Sequence, residues 1–140
     1  MSSVSGDSGP SSVDAFLAEA RSELERVTPR EAERLRQEGA LLVDIRPHVN
    51  RAAEGEIPGA VPVERIHLEW RLAPDSEWRL PGVDAERVVI VFCNESYASS
   101  LAARDLRRLG LLKATDLIGG YRAWAAEGLP TEPGGKPAVP

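Results

Sequence analysis

The chain has 140 residues, of which 42% are hydrophobic and 28% charged, with a formal net charge of −5 at pH 7. That length builds one domain with a real hydrophobic core and is short for two. No apolar stretch approaches the roughly 20 residues that cross a bilayer, and the acidic balance speaks against nucleic acid or an anionic membrane as partner, because both attract basic surfaces.

Residues 1–12, rich in Ser and Gly, read as disordered. They carry neither a basic start nor an apolar core, so no secretory signal is expected and the cytoplasm is the expected compartment. From Val13 the apolar positions Val13, Phe16, Leu17, Ala20 and Leu24 recur at helical spacing and predict one amphipathic helix that lies on the domain or on a partner, with the domain favoured. Thr28-Pro29-Arg30-Glu31 is a capping box with Pro at the first helical position, opening a short helix that Gly39 closes. Buried strands are predicted at residues 41–45, 60–63, 88–92 and 115–118. Residues 64–82, with Trp70, Trp78, Pro74 and Pro81, read as a long surface connection holding a helical turn or two. Beyond residue 93 the stripe Ala98, Ala102, Leu106, Leu109 predicts a helix capped by Gly110, with Arg104, Arg107 and Arg108 facing water. A last short helix, residues 121–127, stops at Gly128 and Pro130. Three prolines and no periodicity predict a disordered C-terminal tail over residues 132–140. The expected organisation is therefore a tail plus amphipathic helix over 1–27, a domain over 28–131 and a frayed end.

Near-continuous apolar strands alternating with helices imply an α/β domain with a mostly parallel central sheet flanked by helices on both faces. In such sheets ligands bind at the carboxyl ends of the strands. Cys93 falls there, where the run Val88-Val89-Ile90-Val91-Phe92 gives way to the polar loop Asn94-Glu95-Ser96-Tyr97-Ala98-Ser99 and then to a helix. A strand, loop and helix in that order aim backbone N–H groups and the positive helix end at one point, which favours a thiolate and cradles an anion. The alternative for Cys93 is a small buried apolar residue. It is the only cysteine, so no internal disulfide forms. His48 and His67 lie far apart without neighbours at ligand spacing, so no metal site is expected.

Four stretches, in this order, resemble the rhodanese-like sulfurtransferase family. Leu42-Val43-Asp44-Ile45-Arg46 is similar to its first core strand, and Gly55-Glu56-Ile57-Pro58-Gly59-Ala60 to its Gly-His-Ile-Pro-Gly-Ala turn. Residues 93–99 resemble its active-site loop, and Gly119-Gly120-Tyr121-Arg122-Ala123-Trp124 with Gly128 and Pro130 its closing helix. The resemblance implies a single rhodanese-like domain and a persulfide mechanism without metal or organic cofactor. Cys93 would be the nucleophile, residues 94–99 the substrate-binding loop, and Asp44 and Arg46 supporting residues. The implied donor is a small sulfur compound or a persulfidated protein, and the implied acceptor a thiol or a cyanide-like nucleophile. Many active members carry Arg directly after the Cys and again near the loop's end, with Gly between. Here Asn94, Ala98 and Ser96 hold those places, and Glu95 adds a negative charge beside the nucleophile, so weak thiosulfate turnover is expected. Loss of the loop cations also leaves open a non-catalytic module that binds a protein partner through the pocket rim or the N-terminal helix. Ser99 lacks the guanidinium with which related phosphatases clamp an oxyanion. Ser96 and Ser99 either bond the persulfide or cap the following helix, with Ser99 favoured as the cap. Tyr97 either lines the pocket mouth or packs on the surface, Trp124 reads as a core anchor, and Trp70 and Trp78 as a candidate partner surface. Glu56, in place of the family's His, is expected to alter local hydrogen bonding only.

Overall fold

The computed structural model describes residues 12–140. The disorder expected of residues 1–12 lies almost wholly outside them. The elements are α1 (Val13–Ser22), α2 (Pro29–Gln37), β1 (Leu41–Asp44), α3 (His48–Glu54), β2 (Val61–Pro62), α4 (Leu68–Leu72), β3 (Val89–Phe92), α5 (Tyr97–Arg108), β4 (Ala114–Asp116) and α6 (Gly120–Ala126), with a 3-10 turn, Arg65–His67, before α4. The four strands pair in the order β2-β1-β3-β4, all parallel, as an α/β reading requires.

Alternation along the buried strands divides the core in two. Val43, Val89 and Val91 face Leu68, Leu72, Ala102 and Leu106 of α4 and α5, whereas Leu42, Ile90 and Phe92 face Ala32 of α2 and Tyr121 and Trp124 of α6. Continuous apolar strands are the consequence, because neither face of the sheet meets water. The capping box forms at the start of α2: Thr28 Oγ1 accepts from Glu31 N at 3.2 Å and Glu31 Oε1 from Thr28 N at 2.8 Å. Trp124 is fully buried and donates from Nε1 to the Pro130 carbonyl at 2.8 Å.

The C-terminal residues depart from the frayed tail that their prolines suggest. Glu56 and Glu132 exchange backbone hydrogen bonds at 2.8 and 2.9 Å, and Val139 N donates to Pro62 O at 3.0 Å, so the segment runs along the exposed edge of β2. The cause is Glu56, nearly fully buried, whose Oε2 accepts from the amides of Gly135 and Lys136 at 2.8 and 3.1 Å. Long-range main-chain bonds to a buried carboxylate supply order that local composition does not. Removing residues 132–140 leaves that carboxylate short of two donors, an expected loss of about 2–3 kcal/mol of stability that a denaturant titration reads directly.

A second departure concerns Arg104, which is buried and not turned to water. α1 lies along α5, with the Phe16 ring 5.2 Å from the Arg104 guanidinium carbon, so the face of α5 that looked solvated is covered by a helix from the other end of the chain.

Candidate active site

Cys93 follows β3 at the carboxyl edge of the sheet and is half-buried. One side of it packs against the α4/α5 core; the other lines a pocket of about 400 Å³ with Ile45, Arg46, Asn94, Tyr97 and Ala98. A larger cleft of about 590 Å³ lies beside the exposed Trp70 and Trp78 and contains no cysteine or histidine. Among the described residues no group of His, Cys, Asp and Glu side chains is placed to hold a metal ion.

The loop after Cys93 is shaped by what its carbonyls bond. Cys93 O accepts from Tyr121 N at 2.8 Å and Asn94 O from Arg122 N at 3.1 Å, both amides belonging to the first turn of α6. In a trans peptide the C=O and N–H point in opposite directions, and the described chain holds no cis bond. The amides of Asn94 and Glu95 are therefore turned away from those donors. Ser96 O likewise accepts from Arg21 Nη2 at 2.9 Å, with Ser100 Oγ 3.0 Å away, which turns the Tyr97 N–H to the opposite side. Outside the helix's own ladder, no amide of residues 94–100 donates to a protein oxygen among the described residues. Main-chain amides left without protein acceptors at a helix start suit an anion.

Two backbone features make this close approach feasible. Gly120 has φ +68°, and a Cβ there would sit 2.5 Å from Asn94 O and Cys93 O. Ser96 takes φ +74° despite its Cβ. Its hydroxyl accepts from Gly119 N at 3.3 Å and gives no cap to α5.

Ser99 is not the helix cap either. Its hydroxyl donates to Asp116 Oδ2 at 3.0 Å, Ser100 Oγ donates to the same oxygen at 2.7 Å, and Arg26 reaches Asp116 with Nε at 2.8 Å and Nη2 at 3.2 Å. Asp116, at the end of β4 and fully buried, thus gathers both serines from beneath. Fold positions that hydroxyl on the sheet side, away from the loop it was expected to cap.

Asp44 and Arg46 form a buried pair in which Arg46 Nη2 lies 2.7 Å from Asp44 Oδ2 and also donates to Gly55 O at 2.8 Å. Arg46 stacks 4.0 Å over the Tyr121 ring and contacts Asn94 Oδ1 at 3.4 Å, which ties the end of β1 to the loop. Burial pushes the Tyr121 hydroxyl above its ordinary range, so it stays a neutral donor to Glu54 O at 2.9 Å.

Cations absent from the loop arrive from elsewhere. Arg65 and Arg122 both line the pocket with Arg46. Each is already engaged: Arg65 by Glu69 at 2.9 Å, Arg122 by Glu54 at 3.0 Å and by Glu95 at 2.9 Å. Hydrogen bonds donated to Glu54 first and Glu95 second raise the Arg122 guanidinium further above its range, and the bond from Arg122 holds the Glu54 carboxyl below its own. The small stabilisation from Glu54 is present above its unfolded titration range and fades as pH falls through the lowered folded value. Glu95 and Tyr97 are exposed, so both stand at the mouth.

A family model described as a rhodanese-like domain matches residues 28–127. The chain belongs to that family. Rhodanese-like relatives include a thiosulfate sulfurtransferase GlpE from Pseudomonas fluorescens, 33% identical over 74% of this chain and 86% of its own length. A sulfurtransferase from Allochromatium vinosum is 34% identical over 66% of this chain and 78% of its own. Among solved structures, the polysulfide-sulfur transferase homodimer of Wolinella succinogenes aligns with a TM-score of 0.68 at 30% identity, covering 84% of this chain and 85% of that one. A Rhodopseudomonas palustris protein of unknown function, a possible tyrosine phosphatase, aligns with a TM-score of 0.78 at 29% identity, covering 94% and 99%. The family's expected fold and the four motif stretches are both present, and the rhodanese-like match ends short of α1 on one side and of the β2-edge segment on the other.

Several contributors to the site were not legible beforehand. Asp116, Arg21 and Arg122 bond the loop from three separate elements, and Arg65 lines the pocket from a fourth. Only Arg122, inside the motif of the closing helix, carried a local signal.

Proposed function

We propose that the protein is a sulfurtransferase that carries a sulfane sulfur as a persulfide on Cys93. The Cys93 thiolate attacks the outer sulfur of a donor such as thiosulfate, the donor's S–S bond breaks and sulfite leaves with the electron pair. A nucleophilic acceptor, a thiolate or cyanide, then attacks the terminal sulfur of the persulfide and returns Cys93 as thiolate. The Cys93 thiolate and its persulfide are both anions held by main-chain N–H dipoles, which need no reorganisation during the step. The observation that carries this reading is the row of amides at residues 94–100 without protein acceptors, wrapped behind a pocket-facing cysteine. The sulfurtransferase relatives support the same chemistry.

Cys93→Ser is expected to reduce transfer from thiosulfate to cyanide to background with the fold unchanged. A wild type that transfers no sulfur from any donor, while an alkylating agent still labels Cys93, supports the binding-module alternative. Phosphatase chemistry has less support, because Ser99 at the loop's end is buried against Asp116 and offers no bidentate cation to an oxyanion.

Donor preference follows from the paired cations. Glu95 both repels a dianion and occupies Arg122 Nη1 at 2.9 Å. Glu95→Gln frees that nitrogen and removes one negative charge, so KM for thiosulfate is expected to fall about three- to tenfold at low salt. The gain should shrink at high ionic strength, where exposed charges are screened. Steady-state kinetics at two salt concentrations check both statements; an unchanged KM sinks the charge account.

A further inference from the structure

Helix α1 lies outside the residues matched by the family model, yet it reaches the reactive loop. α5 presents Ser100, Arg104 and Arg108 one turn apart on a single stripe. α1 and its C-terminal cap meet all three. Arg21 Nε donates to Ser100 Oγ at 3.0 Å, Phe16 stacks 5.2 Å from the Arg104 guanidinium, and Glu23 accepts from Arg108 Nη2 at 2.6 Å. Arg21 continues past the stripe: its Nη2 donates to Ser96 O at 2.9 Å and lies 3.4 Å from Ser96 Oγ. The guanidinium therefore grips the one described non-glycine residue with positive φ, at the turn of the loop.

We infer that Arg21 is a positioning residue for sulfur transfer, holding the Ser96 carbonyl on the outer side of the loop so that the Tyr97 N–H stays on the inner side. This rests on the persulfide reading above. A left-handed Ser is disfavoured by about 1–2 kcal/mol, so the turn needs an external hold. Without one, rotation of the 96–97 peptide exchanges a donor for a carbonyl oxygen in the anion cradle, which opposes the bound charge at each step. The arginine whose place in the loop is taken by another residue in this chain is thus answered, from behind the loop, by one on an appended helix.

Three variants and the wild type test this, with kcat and KM for thiosulfate:cyanide transfer and a thermal melt for each. Arg21→Gln is expected to lower kcat about tenfold or more with KM within about twofold, because the donor meets the pocket mouth and not Arg21. Arg21→Lys, which retains a cation able to reach Ser96 O, should restore kcat to within about threefold. Arg108→Gln removes the bond between α5 and Glu23, at the C-terminal cap of α1, without touching the loop and should keep wild-type kcat. Wild-type kcat in a folded Arg21→Gln, or an equal loss in Arg108→Gln, overturns the inference. Should Arg21→Gln not fold, Arg21→Met, which keeps the aliphatic stem and lacks the donors to Ser96 O, takes its place: a loss of kcat of about tenfold with KM held supports the inference, and wild-type kcat overturns it. A wild type that transfers no sulfur removes the persulfide reading itself and this inference with it.

Discussion

Gly120→Ala is expected to lower sulfur transfer from thiosulfate by at least about a hundredfold and to destabilise the fold by about 2–4 kcal/mol. The methyl group would stand 2.5 Å from Asn94 C, Asn94 O and Cys93 O, all backbone atoms without a flexible end to swing aside. Positive φ adds a second penalty, because a left-handed residue with a Cβ is strained wherever it sits. α6 must then retreat, and the bonds from Tyr121 N and Arg122 N to the Cys93 and Asn94 carbonyls lengthen together. Those bonds turn the Asn94 and Glu95 amides, so the anion cradle is lost before the fold is. Activity should fall far more than stability alone predicts at a temperature where the variant remains folded. Measured kcat/KM alongside urea unfolding separates the two, and near-wild-type turnover in the variant contradicts the proposed origin of the cradle.

Asp116→Ala should cost about 3–5 kcal/mol, the range for removing one partner of a buried ion pair. The carboxylate has no exposed surface and receives Arg26, Ser99 and Ser100. Its loss strands a guanidinium and two hydroxyls at the base of α5. The one proton of Ser100 Oγ lies between Asp116 Oδ2 at 2.7 Å and Ser96 O at 3.0 Å, so loss of Asp116 redirects it and the damage extends to the loop turn. Sulfur transfer should therefore decline even under conditions that keep the variant folded. Asp116→Asn, which keeps an acceptor oxygen, should lose less on both counts. Chemical denaturation of the pair gives the comparison, and a loss below about 1 kcal/mol in the alanine variant would mean that the network is not rigid.

The central layers were legible because the signals are local and strong. Unbroken apolar runs at Leu42-Val43 and Val89 to Phe92 mark strands buried on both faces, and a lone cysteine at the end of one of them marks the site. The capping box at Thr28 and the glycine pair before Tyr121 were equally plain, since cap and turn chemistry is written within a few residues. What escaped depends on residues far apart in sequence. Arg21 meets Ser96, Arg26 meets Asp116, and Glu56 meets Gly135 across most of the chain length. No periodicity predicts that an arginine at i+4 spacing faces another helix instead of water, which is why Arg104 was misplaced. Glu56 is the instructive case, since a carboxylate in a turn reads as a change in local hydrogen bonding, whereas it bonds the amides of Gly135 and Lys136, 79 and 80 residues away.

Mass spectrometry of intact wild-type protein, after exposure to thiosulfate and separately to a persulfidated protein donor, tests the account most directly. The predicted result is a gain of the mass of one sulfur atom, located at Cys93, removed by a reductant or by cyanide and absent from Cys93→Ser. An unmodified Cys93 after both donors, in protein whose thiol reacts freely with an alkylating agent, would contradict it.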